Sequence, residues 1–128
     1  MNILLDTCSF LWLTVDSPEL SVAAKDLFRD PLNEVYLSAA SNWEIAVKYR
    51  LGRLPLPSSP SQFVPEQRER HGIETLPLEE AAINHLEKLP DHHRDPFDRI
   101  LVCQAIEHGL VILTPDKLIR PYPVKFVW

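Results

Sequence analysis

The sequence predicts an α/β fold in three layers, a central parallel sheet with helices on both faces. Two observations carry this. Short apolar runs of strand composition recur from one end of the chain to the other, and segments of helical pattern alternate with them. Alternation of this kind implies a parallel sheet whose crossover helices cover it.

The elements follow in order. Asn2 to Asp6 reads as a short buried strand, and a helix starts near Phe10 to Leu13. Ser21 to Asp30 is helical, with Ser21 as N-cap. Glu34 to Ser38 has strand composition, and a helix from about Ala40 to Leu51 stops at Gly52. Leu54 to Ser61 carries three prolines and is a loop. Ser59-Pro60-Ser61-Gln62 reads as a capping box that opens a helix to about Arg70. Gly72 breaks it before a strand at Ile73 to Leu76. Leu78 to Lys88 reads as one amphipathic helix ended by Pro90, followed by a polar loop, Asp91 to Arg94. A helix from Pro96 to His108 closes at Gly109. Strands at Leu110 to Leu113 and Val124 to Val127 flank a short turn at Lys117 to Ile119.

At 128 residues, 45% hydrophobic and 24% charged, the chain is expected to form one domain, residues 1–128, with a sizeable core. Its first residues lack a basic leader segment, and no apolar run approaches the roughly 20 residues of a membrane span. The expected compartment is the cytoplasm. Cys8 and Cys103 lack metal-site spacing and are expected as small core residues, with a place bordering the site as the alternative for Cys8, two residues past Asp6. A net charge of −5 argues against broad electrostatic binding of nucleic acid. Lys48, Arg50, Arg53, Arg94 and Arg99 are the local cations that could hold a phosphate backbone.

Four acids stand out. Asp6 ends the first apolar run, and Asp116 closes Leu113-Thr114-Pro115-Asp116 after another. Glu44 lies on a predicted helix, and Asp98 lies one turn inside the helix that Pro96 opens. Asp98 shares a face with Val102 and Ala105, so it should be buried, and a buried acid needs a partner. Oxygen ligands without His or Cys suit a hard divalent ion such as Mg²⁺ or Mn²⁺. Structural readings stand beside each. Asp6 suits a helix cap. Glu44 suits a capping box with Ser41 or an ion pair with Lys48. Asp95, just before Pro96, suits an N-cap, and Asp116 a turn. The arrangement carries the case: Asp6 and Asp116 end strands, while Glu44 and Asp98 lie on helices beside them, at one end of a parallel sheet.

Other residues read as structural. His92 and His93 fall in the polar loop and are expected to be solvated, with no zinc spacing. Trp12, Trp43, Phe97 and Trp128 are expected in the core or an interface. There is no Gly-rich phosphate loop and no nucleophile elbow.

Leu4-Leu5-Asp6-Thr7, Ser41-x-Trp43-Glu44-Ile45-Ala46, His93-Arg94-Asp95-Pro96-Phe97-Asp98-Arg99 and Thr114-x-Asp116 occur in that order. Together, and with Val127-Trp128, they resemble PIN-domain ribonucleases, specifically VapC-type toxins of bacterial toxin–antitoxin pairs. The resemblance implies a PIN-like α/β/α fold and Mg²⁺- or Mn²⁺-dependent endonuclease action on RNA. It implies Asp6, Glu44, Asp98 and Asp116 as metal-binding and catalytic acids, with Asp95 and Thr114 beside them. It also implies a homodimer and an antitoxin protein that covers or enters the acidic groove. Pro115 and Cys103 depart from the family pattern without removing a ligand. Two other classes compete. A phosphatase with an aspartyl nucleophile would need a second acid where Cys8 stands. A catalytically silent PIN-like module that binds RNA or a partner would typically have lost some of the four acids.

Overall fold

The computed structural model describes residues 1–128. Its elements are β1 (Asn2–Leu5), α1 (Thr7–Thr14), α2 (Val22–Arg29), β2 (Glu34–Ser38), α3 (Ala39–Arg50), α4 (Pro60–His71), β3 (Glu74–Leu76), α5 (Glu80–Ile83), α6 (Pro96–His108), β4 (Val111–Leu113) and β5 (Lys125–Val127). The five strands form one sheet in the order β3-β2-β1-β4-β5, and every pairing is parallel. The predicted α/β class and its parallel sheet are therefore found.

Alternation along β1 builds the layers. Ile3 and Leu5 point to one face, where they join Val35, Leu37 and Leu113 against Phe10 of α1, Ala24 of α2, Ile45 of α3 and Val64 of α4. Leu4 points to the other face, with Ile112 against Leu101, Val102 and Ala105 of α6. Cys103 sits in this second core as expected. No helix is long and apolar enough to cross a membrane.

Three local expectations are corrected. Helix α1 starts at Thr7 rather than near Phe10, because Asp6 both ends the strand and caps the helix, leaving no loop between them. Helix α4 starts at Pro60 as predicted, but the capping box does not form. The Ser59 hydroxyl pairs with Ser61 at 3.2 Å and the Gln62 amide with Glu66 at 3.2 Å, so both reciprocal partners are taken. The predicted helix at 78–88 is a single α turn followed by 3₁₀ structure at Asn84–Lys88. Leu86, within it, and Leu89, just after it, pack against the α6 core.

Two glycines set the sheet's approach angles. Gly72 and Gly109 end α4 and α6 in the left-handed region, at φ +66° and +65°, where a side chain is strained. Each turns the chain at once into the segment that leads to β3 or β4.

Gln104 ties three segments together inside the protein. It is fully buried, accepts from the Ser38 hydroxyl at 2.5 Å and donates to the Pro77 carbonyl at 3.1 Å. Ser38 in turn caps α3 by accepting from the Ala40 N–H at 2.9 Å. Gln104→Leu would leave the buried Ser38 hydroxyl proton without a partner and release the Pro77 carbonyl to solvent. The expected cost is about 1–3 kcal/mol, measured as a lowered midpoint in urea unfolding with an unchanged slope. Wild-type stability in that variant would show the network to be energetically idle.

Candidate metal centre

The parallel sheet places the carboxyl ends of β1 and β4 side by side. Leu5 pairs with Leu113, the Asp6 N–H donates to the Leu113 carbonyl at 3.2 Å, and the Ser9 hydroxyl donates to that same carbonyl at 2.9 Å. A polar cleft of about 440 Å³ opens just beyond these ends. Asp6, Glu44, Asp98 and Asp116, the four acids singled out in the sequence, all line it, from β1, α3, α6 and the turn after β4. Asp95 lines it too, and Lys48 and Arg53 bring positive charge to it.

Each acid is held in its own way. Asp6 is 4% exposed. Its Oδ1 accepts from the Ser9 N–H at 2.7 Å, as an N-cap, and its Oδ2 accepts from the Thr114 hydroxyl at 2.5 Å. The structural and the site readings of Asp6 are therefore compatible, one per oxygen. Burial raises its pKa, against the pull of the Ser9 and Thr114 bonds, and the Asp116 charge adds to the rise. Thr114 also accepts from the Asp116 N–H at 3.0 Å, so one hydroxyl links the two strand-end acids.

Glu44 is 5% exposed. The Thr7 hydroxyl donates to its Oε1 at 2.7 Å, and Lys48 pairs with its Oε2 one turn on. The expected ion pair is present; it raises the Lys48 pKa, the hydrogen bond to Glu44 being the largest cause. The capping-box reading of Ser41 and Glu44 is overturned. Ser38 is the cap of α3, so Glu44 falls well inside the helix, and Ser41 faces Thr7, their hydroxyls 3.0 Å apart.

Asp98 is pushed up to about 7 by burial and then by the neighbouring Asp95 charge, with Glu44 and Asp6 adding to the rise and His93 opposing it. Asp95 is the N-cap of α6, as its place before Pro96 predicts, accepting from the Phe97 N–H at 2.8 Å. The same acids also reach Cys8, which lies at the cleft rather than in the core. Burial, then Asp6, Asp98 and Glu44, push its thiol up to about 12, so it stays protonated.

The main departure from the sequence reading is His93. It was expected in a solvated loop and is instead 8% exposed. Its Nε2 lies 2.7 Å from Asp116 Oδ2 and 3.2 Å from Asp98 Oδ2. Its Nδ1 accepts from the Asp95 N–H at 3.0 Å, and its own N–H donates to the Tyr122 hydroxyl at 2.8 Å. Nothing in the loop composition signals this burial; only its place two residues before the capping Asp95 hints at a fixed turn. Arg99 is also reassigned. Its guanidinium donates to the Pro90 carbonyl at 3.0 Å and the Tyr122 hydroxyl at 3.2 Å, with longer bonds to the Leu89 and His93 carbonyls. It staples the loop and is not free for a phosphate. His92 stacks edge-on against Tyr122. Trp12 packs against Trp128 as expected, whereas Trp43 is 58% exposed and leans on Phe97 with ring centres 4.8 Å apart.

This donor set fits a hard divalent cation. Carboxylates dominate it, the Asp95, Glu44 and Asp6 charges add to the burial that raises Asp98, and one candidate ligand atom each from His93, Asp98 and Asp116 lies within 4.8 Å of the others. Asp6 and Glu44 share the cleft with Asp98 and Asp116 without belonging to that trio.

Comparison with known proteins agrees with this architecture. Ribonuclease VapC22 of Mycobacterium tuberculosis is 27% identical over 99% of this chain and 98% of its own length. Ribonuclease VapC16 of the same organism is 42% identical over 59 residues, a match that spans less than half of either protein, 46% of this chain and 42% of the relative. Among solved structures, VapBC2 from Rickettsia felis bound to a DNA fragment from its promoter matches over 99% of this chain and 98% of that one. Its TM-score is 0.72 at 12% identity. FitAcB from Neisseria gonorrhoeae matches over 98% and 96%, with a TM-score of 0.63 at 23% identity. These structural likenesses concern the fold. The PIN domain family model matches residues 3–124, nearly the whole sequence, and the chain accordingly belongs to the PIN domain family.

Proposed function

We propose that this protein is a divalent-metal-dependent endoribonuclease and the toxin of a toxin–antitoxin pair, with Asp6, Glu44, Asp98 and Asp116 as its metal-binding, catalytic acids. The observation that carries this is their convergence: four acids far apart in sequence line one cleft at the carboxyl end of the sheet. The names of the relatives, ribonucleases VapC16 and VapC22, support it, and the likeness in fold to structures named VapBC2 and VapBC-1 is consistent with it. On this reading the substrate is RNA, the ion is Mg²⁺ or Mn²⁺, and the partners are an antitoxin and a second copy of the chain. The cytoplasm is the matching compartment, and residues 1–128 act as one domain.

A bound divalent ion supplies a water of lowered pKa and positive charge opposite the phosphate. The chain's own residues do the rest. Thr114 and Ser9 fix both oxygens of Asp6, so that carboxylate is oriented before any ligand arrives. Thr7 and Lys48 do the same for Glu44. Lys48 has three ammonium protons and gives one to Glu44, leaving two for a phosphate oxygen, with Arg53 beside it. Asp98, raised to about 7, binds a cation at the cost of a proton near neutrality.

Three outcomes test this. Purified protein should cleave RNA with Mn²⁺ or Mg²⁺ and lose the activity in EDTA. Asp98→Asn should lower the rate by more than the roughly 100-fold upper range for loss of a residue that only supports a ligand. Asp95→Asn keeps a capping oxygen and should stay within about tenfold of wild type. The reverse ranking of the two variants would reassign the ligand to Asp95.

Stability should follow pH. Between 3.8 and about 7 the folded protein keeps on Asp98 a proton that the unfolded chain has released. Without metal, this group therefore costs stability progressively as pH rises through that window. Millimolar Mn²⁺ should reverse the loss at neutral pH. Melting temperatures from pH 5 to 8, with and without Mn²⁺, check this; in Asp98→Asn the slope from this group should vanish.

Induction of the chain alone in bacteria should arrest growth, and Asp6→Asn, which keeps the N-cap, should restore it at equal expression. Growth unaffected by abundant wild-type protein, together with no RNA cleavage in vitro, would reject the toxin reading.

A further inference from the structure

We infer that His93 is a positioning residue for the cation, an Nε2–H donor that holds Asp116 in ligating geometry beside Asp98 and does not itself bind the ion. The inference rests on the reading of those two acids as metal ligands. It starts from the tautomer. Nδ1 of His93 receives the Asp95 N–H at 3.0 Å, so that nitrogen presents a lone pair and carries no proton. The neutral ring then carries its proton on Nε2, the nitrogen that faces Asp116 at 2.7 Å and Asp98 at 3.2 Å. A nitrogen that carries a proton has no lone pair for a metal. It can donate to Asp116 and leave that carboxylate's other lone pairs to the ion, while the same ring edge stays in contact with Asp98.

The ring is held firmly enough for this role. The His93 N–H is fixed by the Tyr122 hydroxyl at 2.8 Å, and Tyr122 is itself buried. The His93 carbonyl receives Arg99, whose guanidinium also spans the Pro90 carbonyl and Tyr122. Asp116 is fixed from its other side, since its Oδ1 accepts from the Leu118 N–H at 2.9 Å. A carboxylate on α6 and one in the turn after β4 thus meet at a single ring edge rooted in a third segment, hydrogen-bonded to Asp116 and in contact with Asp98. Without it, two acids on separate elements would have no link, and their repulsion would be free to part them.

The experiment compares wild type, His93→Ala and His93→Gln by Mn²⁺ titration calorimetry, melting temperature and pulsed electron paramagnetic resonance of the bound Mn²⁺. Glutamine carries an amide N–H near the position of Nε2 but is a poor nitrogen ligand. The alanine variant should lose about 10- to 100-fold in Mn²⁺ affinity. The glutamine variant should recover most of it. Wild-type Mn²⁺ should show no imidazole nitrogen coupling. Coupling that is present in wild type and absent in His93→Gln makes His93 a ligand and overturns the inference. So does unaltered Mn²⁺ affinity in His93→Ala. If the alanine variant does not fold, the glutamine variant and the wild-type spectrum decide alone. Failure of wild type to bind Mn²⁺ at all overturns the metal site and this inference together, whereas tight wild-type binding with no effect at His93 overturns this inference only.

Discussion

The pairing of β1 with β4 is the constraint on which the cleft depends. Both strands are buried in the middle of the sheet, and their register sets Leu5 opposite Leu113. Asp6 and Thr114 then emerge together, close enough for a hydroxyl-to-carboxylate bond of 2.5 Å. A slip of one residue would turn Asp6 toward a core face and break that bond. The apolar alternation of the two strands therefore does more than fill the core: it fixes the position of the first acid relative to the turn that carries Asp116.

Around this anchor, the acids are supported unequally. Asp6 has two hydrogen-bond donors, Glu44 has a lysine and a threonine, and Asp116 has a histidine and a backbone N–H. Asp98 has a 3.2 Å contact with the histidine and a like charge at Asp95. Burial first, and then that imbalance, gives it an affinity for a proton near neutral pH. Under the proposed function, the same imbalance concentrates the cation's electrostatic gain on one helix-borne carboxylate, while the other three hold the frame.

Much of this was legible in the sequence because it depends on local rules. Strand runs, glycine stops, the Ser21 cap and the Asp95-Pro96 helix start are all local signals. The convergence of the four acids followed from the general rule that ligand sites in parallel sheets lie at strand carboxyl ends. What stayed hidden depends on tertiary partners. His93 looks like loop filler until Tyr122, 29 residues on, is folded against it. Arg99 looks like a free cation until the Leu89 and Pro90 carbonyls turn toward it. Ser41 looks like a cap until Ser38, at the strand's end, takes that role. The 78–88 segment shows helical spacing, but the core it meets asks for a tighter turn.

The bond between Thr114 and Asp6 joins residues 108 positions apart. Synthesis on the ribosome runs from one end, so Asp6 is made early and its hydroxyl partner late. Until residues 111–116 have left the ribosome, β1 lacks its β4 neighbour and Asp6 lacks one of its two donors. The cleft therefore cannot assemble before β4 has been made. A chain that stops before β4 lacks the pairing and the hydroxyl that assemble the acidic site.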